Sequence, residues 1–252
     1  MQTPAIEAIG LKKNYGNFTA LAGLNLSIGA GEIFAFLGPN GAGKTTTVKL
    51  FTGLVRPTAG IAKVMGTDVF KDPSSVRPFI GLVPDRPFIY EHLTGFEYMR
   101  FVGDVWKIPV NEQKSRIGQL LEMFELTDRT DELVEAYSHG MKQKLVLASV
   151  LLHKPKILFV DEPLVGLDPK SGRMVKEIFT ELAHRGATIF MCTHVLEIAE
   201  KLAHRVAIID KGALIAVDTV EGLKAKAVGS GLEDIFLSLT GGADYADLIK
   251  NL

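Results

Sequence analysis

"GPNGAGKTT", Gly38 to Thr46, is the stretch on which the reading of the whole chain rests. It fits G-x-x-x-x-G-K-[ST], follows the apolar run "IFAFL" and leads into "KTTTVKLFTGL", whose spacing is helical and which stops near Gly53. A strand, a tight turn and a helix start, in that order, converge successive backbone N–H groups on phosphate oxygens. Gly38, Gly41 and Gly43 permit the curvature, with Pro39, Asn40 and Ala42 between them. Lys44 reaches terminal phosphates, and Thr45, followed by Thr46, offers a hydroxyl to magnesium.

Phosphate with a metal calls for carboxylates, and "ILFVDEP" supplies two after four apolar residues, at the end of a buried strand pattern. Asp161 is placed to hold magnesium directly or through water. Glu162 points to a different side, where it orients or deprotonates attacking water. "MCTHVLE" sets His194 just past another buried strand, where an imidazole accepts from water and donates toward phosphate. The histidines form no H-E-x-x-H pattern, so a zinc site is not expected.

Working outward, the opening third reads as short strands and turns. From Leu93 to Leu152 the pattern is mainly helical: Thr94 and Glu97 have capping-box spacing, and Ile117, Leu120, Leu121 and Phe124 make an apolar stripe. After Pro155 strands and helices alternate again. "KILFVDE" and "TIFMCTH" are strands flanking a helix between Pro169 and Gly186, with Met174, Ile178, Phe179 and Leu182 on one face. "VAIIDKGALIAV" reads as a hairpin, and "GSGLEDIFLSLTGG" as a flexible joint before a short amphipathic helix. The alternation implies a mostly parallel α/β core with a helical insert between its halves.

The 252 residues suffice for a substantial core, and 28 basic against 29 acidic residues advertise no broad cationic surface, so no nucleic-acid partner is expected. One cysteine, Cys192, rules out an internal disulfide framework. No run reaches the eighteen apolar residues that suggest a membrane span, and the start lacks the pattern of a secretory signal. Any membrane role therefore needs a partner chain.

Taken together, "NYG", "GPNGAGKTT", "YSHGMKQK", "ILFVDEP", "GLDP" and "CTH" resemble the nucleotide-binding subunit of ATP-binding-cassette transporters over almost the whole chain. The resemblance implies a P-loop ATPase core with an antiparallel β subdomain and an inserted helical subdomain. Residues 1–221 would be the ATPase domain, with the insert at about 93–152, and 222–252 a short tail. ATP and magnesium are the implied ligands. "YSHGM" is similar to the family's Leu-Ser-Gly-Gly-Gln signature at Ser138 and Gly140, while Tyr137, His139 and Met141 depart from it; this segment would face ATP held by an opposite subunit. Ser138 read locally is a helix cap.

Tyr15 resembles the family's aromatic platform for adenine. Asp168 resembles a residue that links paired sites, and reads locally as an N-cap. Where the family commonly carries glutamine, "VPDRP" has Asp85, which keeps an oxygen for magnesium or its water but adds negative charge near phosphate. The implied partners are an identical or homologous nucleotide-binding subunit and a multi-helix transmembrane permease, with the chain peripheral on the cytoplasmic face. Exporter type is suggested by "LEDIFLSLTGG" and "YEHLTGFEYMRF". The alternative is a soluble ATP-controlled clamp or regulatory module.

Overall fold

The computed structural model describes residues 3–226 and 231–241. In chain order the strands are β1 Ile6–Tyr15, β2 Phe18–Ile28, β3 Ile33–Leu37, β4 Ala59–Val64, β5 Thr67–Asp68, β6 Ile80–Val83, β7 Ile157–Asp161, β8 Thr188–Thr193, β9 Arg205–Asp210 and β10 Ala213–Thr219. The helices are α1 Lys44–Phe51, α2 Pro73–Val76, α3 Gly95–Val105, α4 Val110–Met123, α5 His139–Leu151, α6 Pro169–His184, α7 Leu196–Leu202, α8 Val220–Lys226 and α9 Leu232–Thr240.

Two sheets result. The larger has the order β10-β9-β3-β8-β7-β6, parallel except for the β9–β10 hairpin. The smaller, β2-β1-β4-β5, is antiparallel. Every residue of β3, β7 and β8 is buried, because both faces of the parallel sheet are covered.

Period-two alternation divides these strands between two cores. Ile33, Ala35 and Leu37, with Leu158, Val160, Ile189 and Met191, face α5, α6 and the helical insert. Phe34, Phe36, Phe159, Phe190 and Cys192 belong to the other core, shared with α1 and the antiparallel sheet. Phe190 is central there, 5.3–5.9 Å centroid to centroid from Phe34, Phe36, Phe51 and Phe159.

The insert follows its sequence signals. The Thr94–Glu97 capping box forms with both hydrogen bonds and starts α3. Ile117, Leu121 and Phe124 are buried, with Leu120 partly so. On α6 the deepest positions are Val175, Phe179 and Ala183, while Met174, Ile178 and Leu182 flank them. α8 crosses position 221, and Leu232 and Ile235 of α9 are buried in the main cluster. The expected joint at 227–230 and the tail from 242 lie outside the described residues.

A ring stack and a hydrogen bond add to the apolar packing between the insert and the parallel sheet. His153, just after α5, stacks on Trp106 at 3.9 Å and 8°, and its Nε2 lies 3.0 Å from the Ile80 carbonyl oxygen. A carbonyl only accepts, so Nε2 carries the proton and Nδ1 is the unprotonated nitrogen, buried with no hydrogen-bond partner among the described residues. Burial pushes the imidazole below its ordinary 6.5, against the opposing pull of the Ile80 carbonyl.

The unfolded chain therefore takes up this proton first as pH falls. Stability present above about 6.5 is lost as pH drops toward the lower folded value. His153→Gln is expected to lose less stability than the parent between pH 7 and pH 5.5. Urea midpoints at the two pH values check this, and equal losses would refute it.

Candidate functional site

The carboxyl ends of β3 and β7 and the N-terminus of α1 meet at one open cavity of about 260 Å³. Its walls include Asn40, Gly41, Gly43, Lys44, Thr45 and Thr46 from the loop and helix start, Asp161 and Glu162 from the end of β7, and Asp85 two residues past β6. The loop requires glycine for reasons of space as well as torsion. A Cβ on Gly38 would stand 2.4 Å from the Ile209 carbonyl oxygen, and one on Gly43, at φ +109°, 2.5 Å from that of Ala20.

Lys44 is only 7% exposed, and its ammonium donates to the carbonyls of Gly38 at 2.7 Å and Pro39 at 3.3 Å. Among the described residues no carboxylate pairs with it, so its charge stays available to an anion in the cavity. The Thr45 hydroxyl donates to Asp161 Oδ2 at 2.6 Å. Burial raises the Asp161 pKa; the Thr45 bond opposes this, while the charges of Glu162 and Asp85 raise it further and Lys44 lowers it.

Glu162 sits in the left-handed region at φ +51°, its N–H donating to the Cys192 carbonyl at 2.9 Å. Its carboxylate lies against the end of β8. There Oε1 meets His194 Nδ1 at 2.7 Å and Oε2 accepts from the Thr193 hydroxyl at 3.0 Å. Both carboxylate oxygens of Glu162 are thus held in place by side chains at the end of β8.

The geometry also refines the expectation for His194. With Nδ1–H donated to Glu162, the neutral ring has only a lone pair on Nε2, so only the imidazolium donates to a phosphate as well. Cys192 is wholly buried, and burial pushes its thiol well above the ordinary range, which removes it from nucleophilic chemistry.

Ser138 and Gly140 are not brought to this cavity. Ser138 caps α5, accepting from the Met141 N–H at 3.2 Å, and is exposed. His139 packs on Gly166: a Cβ there would lie 2.5 Å from the ring. A Cβ on Gly140 would be 3.3 Å from the Gly166 carbonyl oxygen, so 138–140 and the segment before α6 share a surface. Asp168 caps α6 through the Ser171 N–H at 3.0 Å and hydroxyl at 2.6 Å, and those bonds lower its pKa.

Tyr15 does not line the cavity. It is 46% exposed at the β1–β2 turn, with Lys13 Nζ 4.9 Å from its ring centroid. Its register partner Phe18, 62% exposed, lines the cavity instead. Sequence pattern singled out neither Phe18 nor Thr193; the turn at Gly16 and Asn17, which carries Phe18 opposite Tyr15, was the available signal for the first.

The donor set fits magnesium with a triphosphate. The Thr45 hydroxyl and Asp161 carboxylate are hard oxygen donors beside a glycine cradle and a buried lysine. Fold and site together define an ATPase domain of the P-loop class.

The family model "ABC transporter" matches residues 21–165. The daunorubicin resistance ATP-binding protein DrrA2 of Streptomyces coeruleorubidus is 42% identical over 91% of this chain and 71% of its own length. The linearmycin resistance ATP-binding protein LnrL of Bacillus subtilis is 36% identical over 92% and 77%. A solved ATP-binding subunit of an ABC transporter superposes with a TM-score of 0.88 at 30% identity, covering 93% of this chain and 99% of that one. The chain belongs to the ABC transporter family, as an ATP-binding subunit. Members of this family bind and hydrolyse ATP with magnesium, and that is the general activity of this domain.

Proposed function

We propose that this chain pairs with an identical or homologous nucleotide-binding subunit around two ATP molecules and drives conformational change in a membrane exporter. The observation that carries the pairing is the separation of two elements suited to phosphate: the Lys44 cradle is one, and the α5 N-terminus, with Ser138 exposed and Gly140 partly so, lies outside that cradle. One chain's own loop holds its own phosphates, so the second element serves the partner's.

In this reading the loop Gly38–Thr46 and Lys44 hold the triphosphate, Tyr15 stacks on the base, and Thr45, Asp161 and Asp85 hold magnesium. The metal, when bound, neutralises charge on the phosphoryl oxygens. Glu162, fixed by Thr193 and His194, takes the proton of the attacking water, and Lys44 stabilises the charge that develops on the transferring group. His194 supports phosphate placement, and Asp168 links the paired sites. Residues 1–221 form the ATPase unit, with 222–252 appended to it.

The permease partner is supported by a cleft of about 380 Å³ between insert and core, lined by Leu54, Arg77, Tyr98, Trp106 and His153 among others. Exposed Phe88 and Tyr90 add apolar surface to the chain segment between Asp85 and α3. No described helix is long and apolar enough to cross a membrane, so the chain would attach peripherally, at the cytoplasmic face. The exporter assignment rests on the resistance proteins to which the chain is similar.

Ser138→Ala removes a hydroxyl at the proposed cross-subunit contact while leaving the cradle intact. ATP-dependent pairing is expected to weaken more than nucleotide binding by the single chain. Sedimentation in matched Mg-ATP conditions checks it; an unchanged dimer equilibrium in a variant with the parent's melting temperature would remove Ser138 from the contact.

A further inference from the structure

The charge lining the cavity is unbalanced. Asp85, Asp161 and Glu162 are three acidic residues in its lining, and Lys44 is the one basic residue among its described lining residues. No lysine, arginine or histidine of the described residues lies within ion-pair distance of Asp85. Asp161 is hydrogen-bonded to Thr45 and Glu162 to Thr193 and His194, whereas Asp85 has no such partner among the described residues. It lines the same cavity as Thr45 and Asp161, the residues placed to hold a metal.

We propose that Asp85 makes nucleotide binding by this chain conditional on a divalent cation, its carboxylate rejecting triphosphate that arrives without a metal. The inference rests on the reading that the cavity holds phosphates. A metal-free triphosphate brings several negative charges to a cavity that already carries an excess of them. The loop amides and the N-terminus of α1 supply only about half a positive charge, and Lys44 one more. A divalent cation arriving with the phosphates reverses the sign of the contact with Asp85, turning repulsion into attraction. Asp85 thereby discriminates between two forms of one ligand, which an uncharged side chain at this position would do far less strongly.

The test compares ATP affinity in magnesium with affinity in excess chelator, by calorimetric titration of the full chain at low ionic strength. Asp85→Asn is expected to strengthen metal-free ATP binding by about tenfold or more, the effect of one unit charge a few ångströms away at an effective dielectric near 20. Mg-ATP affinity should change less, so the ratio of the two affinities falls. Asp85→Glu keeps the charge and should keep the ratio, and raised salt should shrink the difference between parent and Asp85→Asn.

Unchanged metal-free affinity in Asp85→Asn, with the parent's melting temperature, would overturn the proposal. So would a loss of Mg-ATP affinity with no gain in the metal-free form, which would make Asp85 a metal ligand and nothing more. A parent that binds neither form would instead refute the phosphate reading of the cavity.

Discussion

Steady-state ATP hydrolysis by Glu162→Gln is expected to fall by about 10²–10⁴-fold, the usual contribution of a positioned general base, while Mg-ATP binding is largely kept. An amide at this position still accepts from the Thr193 hydroxyl, and the backbone bond from its N–H to the Cys192 carbonyl is untouched, so the turn at φ +51° survives. What it cannot do is take a proton from water. His194 loses its carboxylate partner at the same time, which loosens the ring that Glu162 now orients at 2.7 Å. Phosphate release with saturating Mg-ATP, beside a direct binding titration, separates the two effects. Turnover within a factor of two of the parent would move the base role to another group.

Phe190→Ala is expected to cost about 3–5 kcal/mol of folding stability, the range for emptying an aromatic site in a packed core. Phe190 has no solvent exposure and stands at the centre of β8, the strand between β3 and β7. Its ring touches Phe34 and Phe159 on the neighbouring strands and Phe51 on α1, so the cavity opens between the sheet and the helix that carries Lys44. The surrounding rings are themselves held on strands, which limits collapse into the space. Urea unfolding gives the number, and a loss near 1 kcal/mol would mean that the site relaxes freely. Phe190→Leu, which refills most of the volume, should lose distinctly less.

Both experiments bear on positions that differ in how openly the sequence declares them. Lys44, Thr45 and Asp161 were legible because loop spacing and strand-end carboxylates are local patterns, and the structure joins Thr45 to Asp161 through a 2.6 Å bond. The capping box at Thr94 and the cap at Ser138 were legible for the same reason. Phe18 was not, since its place on the cavity wall follows from which side of a hairpin turn faces the loop. Nor was the embrace of Glu162 by Thr193 and His194, 31 and 32 residues away, which needs β7 and β8 in parallel register.

By itself the sequence determined the alternation of strands and helices, the glycine loop between a buried strand and a helix, and the carboxylates at the end of β7, because each is encoded within a few neighbouring residues and set by torsion, spacing and burial period. Only the tertiary structure decided which alternate residues of β3, β7 and β8 enter which core, that His139 rests on Gly166, and that three carboxylates share a cavity with one lysine. Those facts depend on distances between segments far apart in the chain, and such distances are fixed by packing two layers onto one sheet.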